Sequence, residues 1–145
     1  MITITDRAYA AGVLDSDGSL GIYYANGKTT KSQITIAVQD MELLEWFQER
    51  WGGRIENNGR GQRVNKWVVG NAQERIDFLT DVLQFLHTKR DIAELVLQYL
   101  TVSPRPHTNE EYTVLTKAYN RRLSESFVPH PAKVKESSTD SQGGE

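Results

Sequence analysis

Hard-oxygen chemistry is concentrated in one short stretch of this chain, Asp15-Ser16-Asp17-Gly18. There is no cysteine, and His87, His107 and His130 are too scattered to make a helical ligand pair, so any metal must be held by oxygen. Just upstream, Ala8, Ala11, Gly12 and Asp15 fall at i, i+3, i+4 and i+7, which on a helix makes a face almost without side-chain bulk. A second backbone can approach such a face closely. The sequence holds one segment of this kind, so the facing helix is expected from a second copy of the chain in a two-fold dimer. Asp17 would then lie near the axis, where two carboxylates repel unless a cation sits between or beside them. A hard divalent ion such as Mg2+ suits that donor type.

Two plainer readings compete for the same stretch. A calcium loop counted from Asp15 needs glycine at its sixth position and a carboxylate at its twelfth, but these are Leu20 and Asn26. A simple turn would leave the small-residue helix face without a reason.

The elements around this stretch follow from periodicity. Thr5 is a candidate cap for a helix over residues 6–15, with Asp6 at its positive end and Gly18 closing it. Leu20, Ile22 and Tyr24 alternate along one strand face and Ile34, Ile36 and Val38 along another, with Asn26-Gly27 as the turn between them. Leu43, Leu44, Trp46 and Phe47 predict a second helix from Asp40 to Trp51, stopped by Gly52-Gly53. A second hairpin is expected at about 54–58 and 64–69, with Ile55, Trp67 and Val69 inward and Arg54, Glu56, Asn58, Lys66 and Val68 outward. Asn71 to Glu74 reads as a capping box for a helix carrying Ile76, Leu79, Leu83 and Leu86. Thr88 is placed to cap another, with Ile92, Leu95, Val96 and Tyr99 inward. Ser103 to Pro106 is a linker, and Asn109 begins a last helix to about Leu123.

The fold class is therefore α+β: an αββαββα core with one four-stranded antiparallel sheet, followed by C-terminal helices. Residues 1–125 make one domain, and residues 126–145, rich in serine, glycine and charge, form a disordered tail. Helices cover one face of the sheet and leave the other bare for a partner. Its strands carry Lys28, Lys31, Arg54, Arg60, Arg63 and Lys66 against Glu56 alone, although the whole chain carries −2. Positive charge on one face is what a nucleic-acid partner needs, whatever the sum.

Ala10-Ala11-Gly12-Val13-Leu14-Asp15-Ser16-Asp17-Gly18 resembles the LAGLIDADG motif of homing endonucleases, with five of nine positions identical. Val13 and Leu14 are conservative changes, and Ala10 and Ser16 depart from the pattern. The resemblance covers about residues 5–101, and a single copy of the motif points to the homodimeric type. It implies a saddle-shaped sheet on double-stranded DNA and metal-dependent phosphodiester hydrolysis at a pseudo-palindromic target. Short 3′ overhangs and an intron-encoded origin belong to the same expectation. An RNA maturase or a non-cleaving DNA-binding regulator with the same fold is the alternative.

The resemblance also implies roles. Asp17 becomes the metal ligand, joined by the backbone carbonyl at or near Ser16, with Mg2+ as the cofactor and Ca2+ or Mn2+ able to substitute in binding. Asp15 is assigned mainly to structure, as a helix-end group satisfying backbone or partner donors. A polar residue at the end of strand two, Gln39 or Asp40, would order water, Asp40 being the better register and also a good cap for helix two. Lys89, just before Ile92-Ala93-Glu94-Leu95-Val96-Leu97, would stabilise transition-state charge or polarise water. Tyr23, Lys31, Gln33, Thr35, Arg54, Glu56, Asn58, Arg60 and Lys66 are the candidate readers of the major groove, some touching only phosphate.

Partners outside this set are not expected: no membrane and no small-molecule cofactor. The start, Met1 to Asp6, lacks the basic end and apolar run of a signal peptide, so the expected location is intracellular, cytoplasmic or within an organelle.

Overall fold

The structure, a computed structural model, describes residues 1–57 and 64–126. Its core order is α1 (Ile4–Asp17), β1 (Gly18–Asn26), β2 (Thr29–Val38), α2 (Met41–Trp51), β3 (Arg54–Asn57), β4 (Asn65–Val68) and α3 (Ala72–Val82). A short 3-10 turn (Leu83–Phe85) leads to α4 (Arg90–Thr101) and α5 (Asn109–Ser126). The predicted αββαββα order and the α+β class are what the chain adopts. Asn58 and Arg60, and the tail expected to be disordered, lie outside the described residues.

All strand pairs are antiparallel and the sheet order is β1-β2-β4-β3. The β1–β2 hairpin turns at Gly27, whose φ of +55° is the left-handed backbone that glycine adopts without strain. Leu20, Ile22, Ile34 and Ile36 point into the core as their alternation predicts, whereas Tyr24 is 49% exposed. The pairing shifts between Tyr24 and Asn26, close to the turn. Under β4 an aromatic cluster fills the core: Phe47 stacks on Trp67 with centroids 4.8 Å apart, and Phe78 meets Trp51 and Trp67 edge-on.

Three boundaries differ from the sequence reading. Thr3, not Thr5, caps α1, because its hydroxyl accepts from Asp6 N–H while the Asp6 carboxylate accepts from Thr3 N–H. The third helix stops at Val82, so Leu83 and Leu86 reach the core from the turn after it. Thr88 does not cap α4, since its hydroxyl donates to Asp15 instead. The capping box of Asn71 and Glu74 and the Asp40 cap on α2 stand where the sequence placed them.

Outward-facing Val68 is 6% exposed, paired in register with Thr35 on one side and Arg54 on the other. The last helix has a role that periodicity did not show. It runs along the free edge of β1, where the Thr116 hydroxyl accepts from Ile22 N–H at 3.1 Å. Asn109 at its start donates to the Lys28 carbonyl at 3.0 Å and so ties down the hairpin tip. An edge strand that would otherwise offer unpaired N–H groups is covered.

Candidate active site and nucleic-acid face

The motif residues sit where α1 ends and β1 begins. Gly18 closes the helix by donating its N–H to Leu14 O, and the chain turns directly into the strand. Asp17, the last helical residue, is exposed, and the Ser16 hydroxyl bonds both Val13 O and Asp17 Oδ2 at 3.2 Å. No basic residue occupies the last turn, so the negative end of the helix dipole and the acidic side chains add to one another. A cation is the natural complement. Among the described residues no group of three metal-ligating side chains lies together within one chain. A single exposed carboxylate, Asp17, is fewer donors than a hard cation takes, so the chain alone does not complete such a site among the described residues.

Asp15 is engaged inside its own chain. Its carboxylate accepts from His87 N–H (2.9 Å), Thr88 Oγ1 (3.1 Å) and Lys89 N–H (3.0 Å), three donors at the start of α4. It therefore acts as the cap that α4 lacks from its own residues. The Lys89 ammonium donates to the Asp15 carbonyl at 2.6 Å, which delivers it to the end of α1. Burial pushes the Lys89 pKa below its ordinary value, while the nearby charges of Asp15 and Asp17 hold it up. Lys89 and Asp17 are thus close enough to feel one another, though 72 residues apart in sequence.

The interface residues divide. Ala8 and Gly12 are exposed, and nothing lies within 4 Å of where a Gly12 Cβ would stand. Ala11 is a correction: it is 0% exposed, packed in the chain's own core with Ala10 and Leu14, because α1 turns that side to the sheet and α3. The exposed stripe is Thr5, Ala8, Tyr9, Gly12 and Ser16, displaced by one residue from the predicted face. Tyr9, 53% exposed and edge-on to Trp46, extends it towards α2.

Asp40 Oδ1 caps α2 by accepting from Glu42 and Leu43 N–H, and Gln39 is exposed with its carbonyl taken by Asn65 Nδ2. On the outer sheet face, Lys31 and Gln33 are exposed and Tyr23 and Lys66 half-buried. Tyr23 pairs in register with Lys31, and its hydroxyl lies over Gly21. Thr35 is 9% exposed and so lies beneath its neighbours in the free chain. Arg54 and Glu56 form an ion pair of 2.8 Å on that face. Arg75, which the sequence reading passed over, lies under the sheet and donates to Ser32 Oγ (2.8 Å) and to the Gly70 carbonyl. Burial lowers its pKa.

No protein-family model matches the chain. Over 77 residues it is 30% identical to an intron-encoded RNA maturase, bI4, of Saccharomyces cerevisiae, a match spanning 52% of this chain and 12% of that protein. Among solved structures it is similar to the homing endonuclease I-CvuI in complex with its target, with a TM-score of 0.60 and 19% identity over 88% of this chain and 85% of that one. The LAGLIDADG meganuclease I-AabMI bound to uncleaved DNA gives 0.58 and 17% over 81% of this chain and 42% of that one. I-SmaMI bound to an uncleaved DNA target with calcium ions gives 0.60 and 17% over 86% and 50%. With the motif at the α1–β1 junction and the sheet it leads into, these likenesses show that the chain has the fold of the LAGLIDADG homing endonucleases.

Proposed function

We propose that the chain is a homodimeric, site-specific endonuclease that hydrolyses phosphodiester bonds in double-stranded DNA with a divalent metal. The observation that carries this reading is the placing of an exposed carboxylate, Asp17, and a partly buried lysine, Lys89, at the same end of α1, beside a helix stripe of minimal bulk. Two copies joined along Thr5, Ala8, Gly12 and Ser16 would bring the two Asp17 carboxylates together. Asp17, with the carbonyl at Ser16, would hold Mg2+, which when bound supplies Lewis-acid activation of water and charge neutralisation at the leaving oxygen. Lys89 donates hydrogen bonds to charge that develops on the scissile phosphate, from a position that Asp15 fixes. Gln39 and Asp40 stand at the strand-two end as candidates for ordering water.

The outer sheet face then lies in the major groove, which admits a two-stranded ribbon. Tyr23, Lys31, Gln33, Thr35, Arg54, Glu56 and Lys66 are its described contributors. A two-fold dimer calls for a pseudo-palindromic target, with short 3′ overhangs after cutting. The likeness of the neighbours, several of which are DNA complexes by name, supports DNA as the partner. An intron-encoded origin is supported by the yeast relative, which is intron-encoded by name; no helix among the described residues is long and apolar enough to cross a membrane. The same relative favours a second reading, an RNA maturase of this fold.

A cleavage selection on a randomised duplex pool with Mg2+ tests the proposal. Recovery of cut duplexes sharing a pseudo-palindromic site is the expected outcome. Tight binding to structured intron RNA, with no duplex cut or retained, would favour the maturase.

A further inference from the structure

The outer face of the second hairpin carries an arrangement that sorts its residues into reader and support. Arg54 and Glu56 lie two apart on β3 and so share one face of the sheet. Arg54 Nε and Nη2 both donate to a single oxygen of Glu56, Oε2, at 3.0 and 2.8 Å. That contact occupies the side edge of the guanidinium. A guanidinium has five N–H donors, and three remain: both on Nη1 and the second on Nη2. One on each Nη lies along the end of the fork, the edge that pairs with guanine O6 and N7, and the other Nη1 donor points back beside Cδ. The Arg54 side chain is 64% exposed against 39% for Glu56, so the arginine stands further into solvent than the group that holds it.

Electrostatics separates base reading from backbone contact here. A carboxylate bound to the arginine lowers its attraction for a phosphate and repels the phosphate itself. The same carboxylate costs little against the edge of a guanine, which is neutral and offers two acceptors. It also restricts the rotamers of a long side chain, so less entropy is lost when the base is met. Lys66 stands across from Glu56 in the strand register and offsets its charge at the sheet.

We infer that Glu56 is not itself a base reader but a positioning residue, which presents the end edge of Arg54 to a guanine in the major groove. This rests on the proposed DNA-binding role of the sheet face. In a homodimer the guanine recurs once in each half-site.

The test is binding selection on a randomised duplex pool by the full chain and by Arg54→Ala, Glu56→Ala and Glu56→Gln, with circular dichroism to confirm that each variant folds. The wild type is expected to select guanine at one base pair in each half-site, and Arg54→Ala to lose that preference there alone. Glu56→Ala should weaken the same preference roughly tenfold and leave other positions unchanged. Glu56→Gln, which keeps an acceptor for Arg54, should restore part of it. A Glu56→Ala protein with unaltered guanine preference would overturn the inference while leaving the endonuclease reading intact. So would a uniform change in affinity with an altered salt slope, because that marks Arg54 as a phosphate contact. Failure of the wild type to retain any duplex would overturn both.

Discussion

Asp15 and Lys89 hold one another by two separate bonds: the Asp15 carboxylate accepts from the Lys89 backbone N–H at 3.0 Å, and the Lys89 ammonium donates to the Asp15 carbonyl at 2.6 Å. The end of α1 and the start of α4 are thereby locked together. Asp15→Ala removes the acceptor for three donors at the head of α4, so it should cost about 2 kcal/mol of stability. Urea unfolding measures this, and a loss below about 0.5 kcal/mol would show that the contact matters little.

Lys89→Met keeps much of the buried stem and removes the charge. Cleavage should fall at least about a hundredfold while DNA affinity changes little. Stability offers a second readout. The folded Lys89 pKa lies below the ordinary 10.5, so between the two values the unfolded chain binds more protons and stability rises with pH through that window. The contribution is lost as pH falls through the folded value. Parallel unfolding series on wild type and Lys89→Met should show this rise in the wild type alone; superimposable pH profiles would contradict it.

Gly12 and Ala11 are neighbours with opposite fates. Gly12 is exposed and a Cβ there meets open space within the chain, so Gly12→Leu should fold and gain up to about 1 kcal/mol of helix propensity per chain. It should nonetheless be monomeric by light scattering, because its bulk stands on the proposed interface. Ala11→Leu overfills a closed core and should lose about 1–3 kcal/mol. A dimeric Gly12→Leu protein would sink the proposed interface.

Asp17→Asn should abolish Mg2+-dependent cutting, by at least about a hundredfold, and leave the fold unchanged since the side chain is exposed. Mg2+ titration of duplex cleavage against duplex binding separates the two effects. Undiminished cutting would remove Asp17 from the chemistry.

Asp40 and Gln39 can be told apart by pairing two measurements. Asp40→Ala should cost about 1 kcal/mol, because it uncaps α2, whereas Gln39→Ala should leave stability alone. Whichever variant loses single-turnover cleavage beyond its stability cost identifies the water-ordering residue. If neither does, the strand-two end has no part in catalysis.

Local information in the chain was sufficient for much of this. Alternation of Leu20 with Ile22 and of Ile34 with Ile36, the box of Asn71 and Glu74, and the glycines after Trp51 each report on a few neighbouring residues, and the elements they imply are present. Asp17 at the junction of helix and strand was legible for the same reason. Which side of α1 faces inward was not, because Ala8, Ala11 and Gly12 are all small and carry no polarity to orient the helix. Packing against the sheet and α3 decided it and buried Ala11. The partnership of Asp15 with residues 87–89 depends equally on tertiary structure. Thr88 has the chemistry of a cap, but a carboxylate reaching over from α1 satisfies those N–H groups, and only the folded chain brings that acceptor within 3 Å.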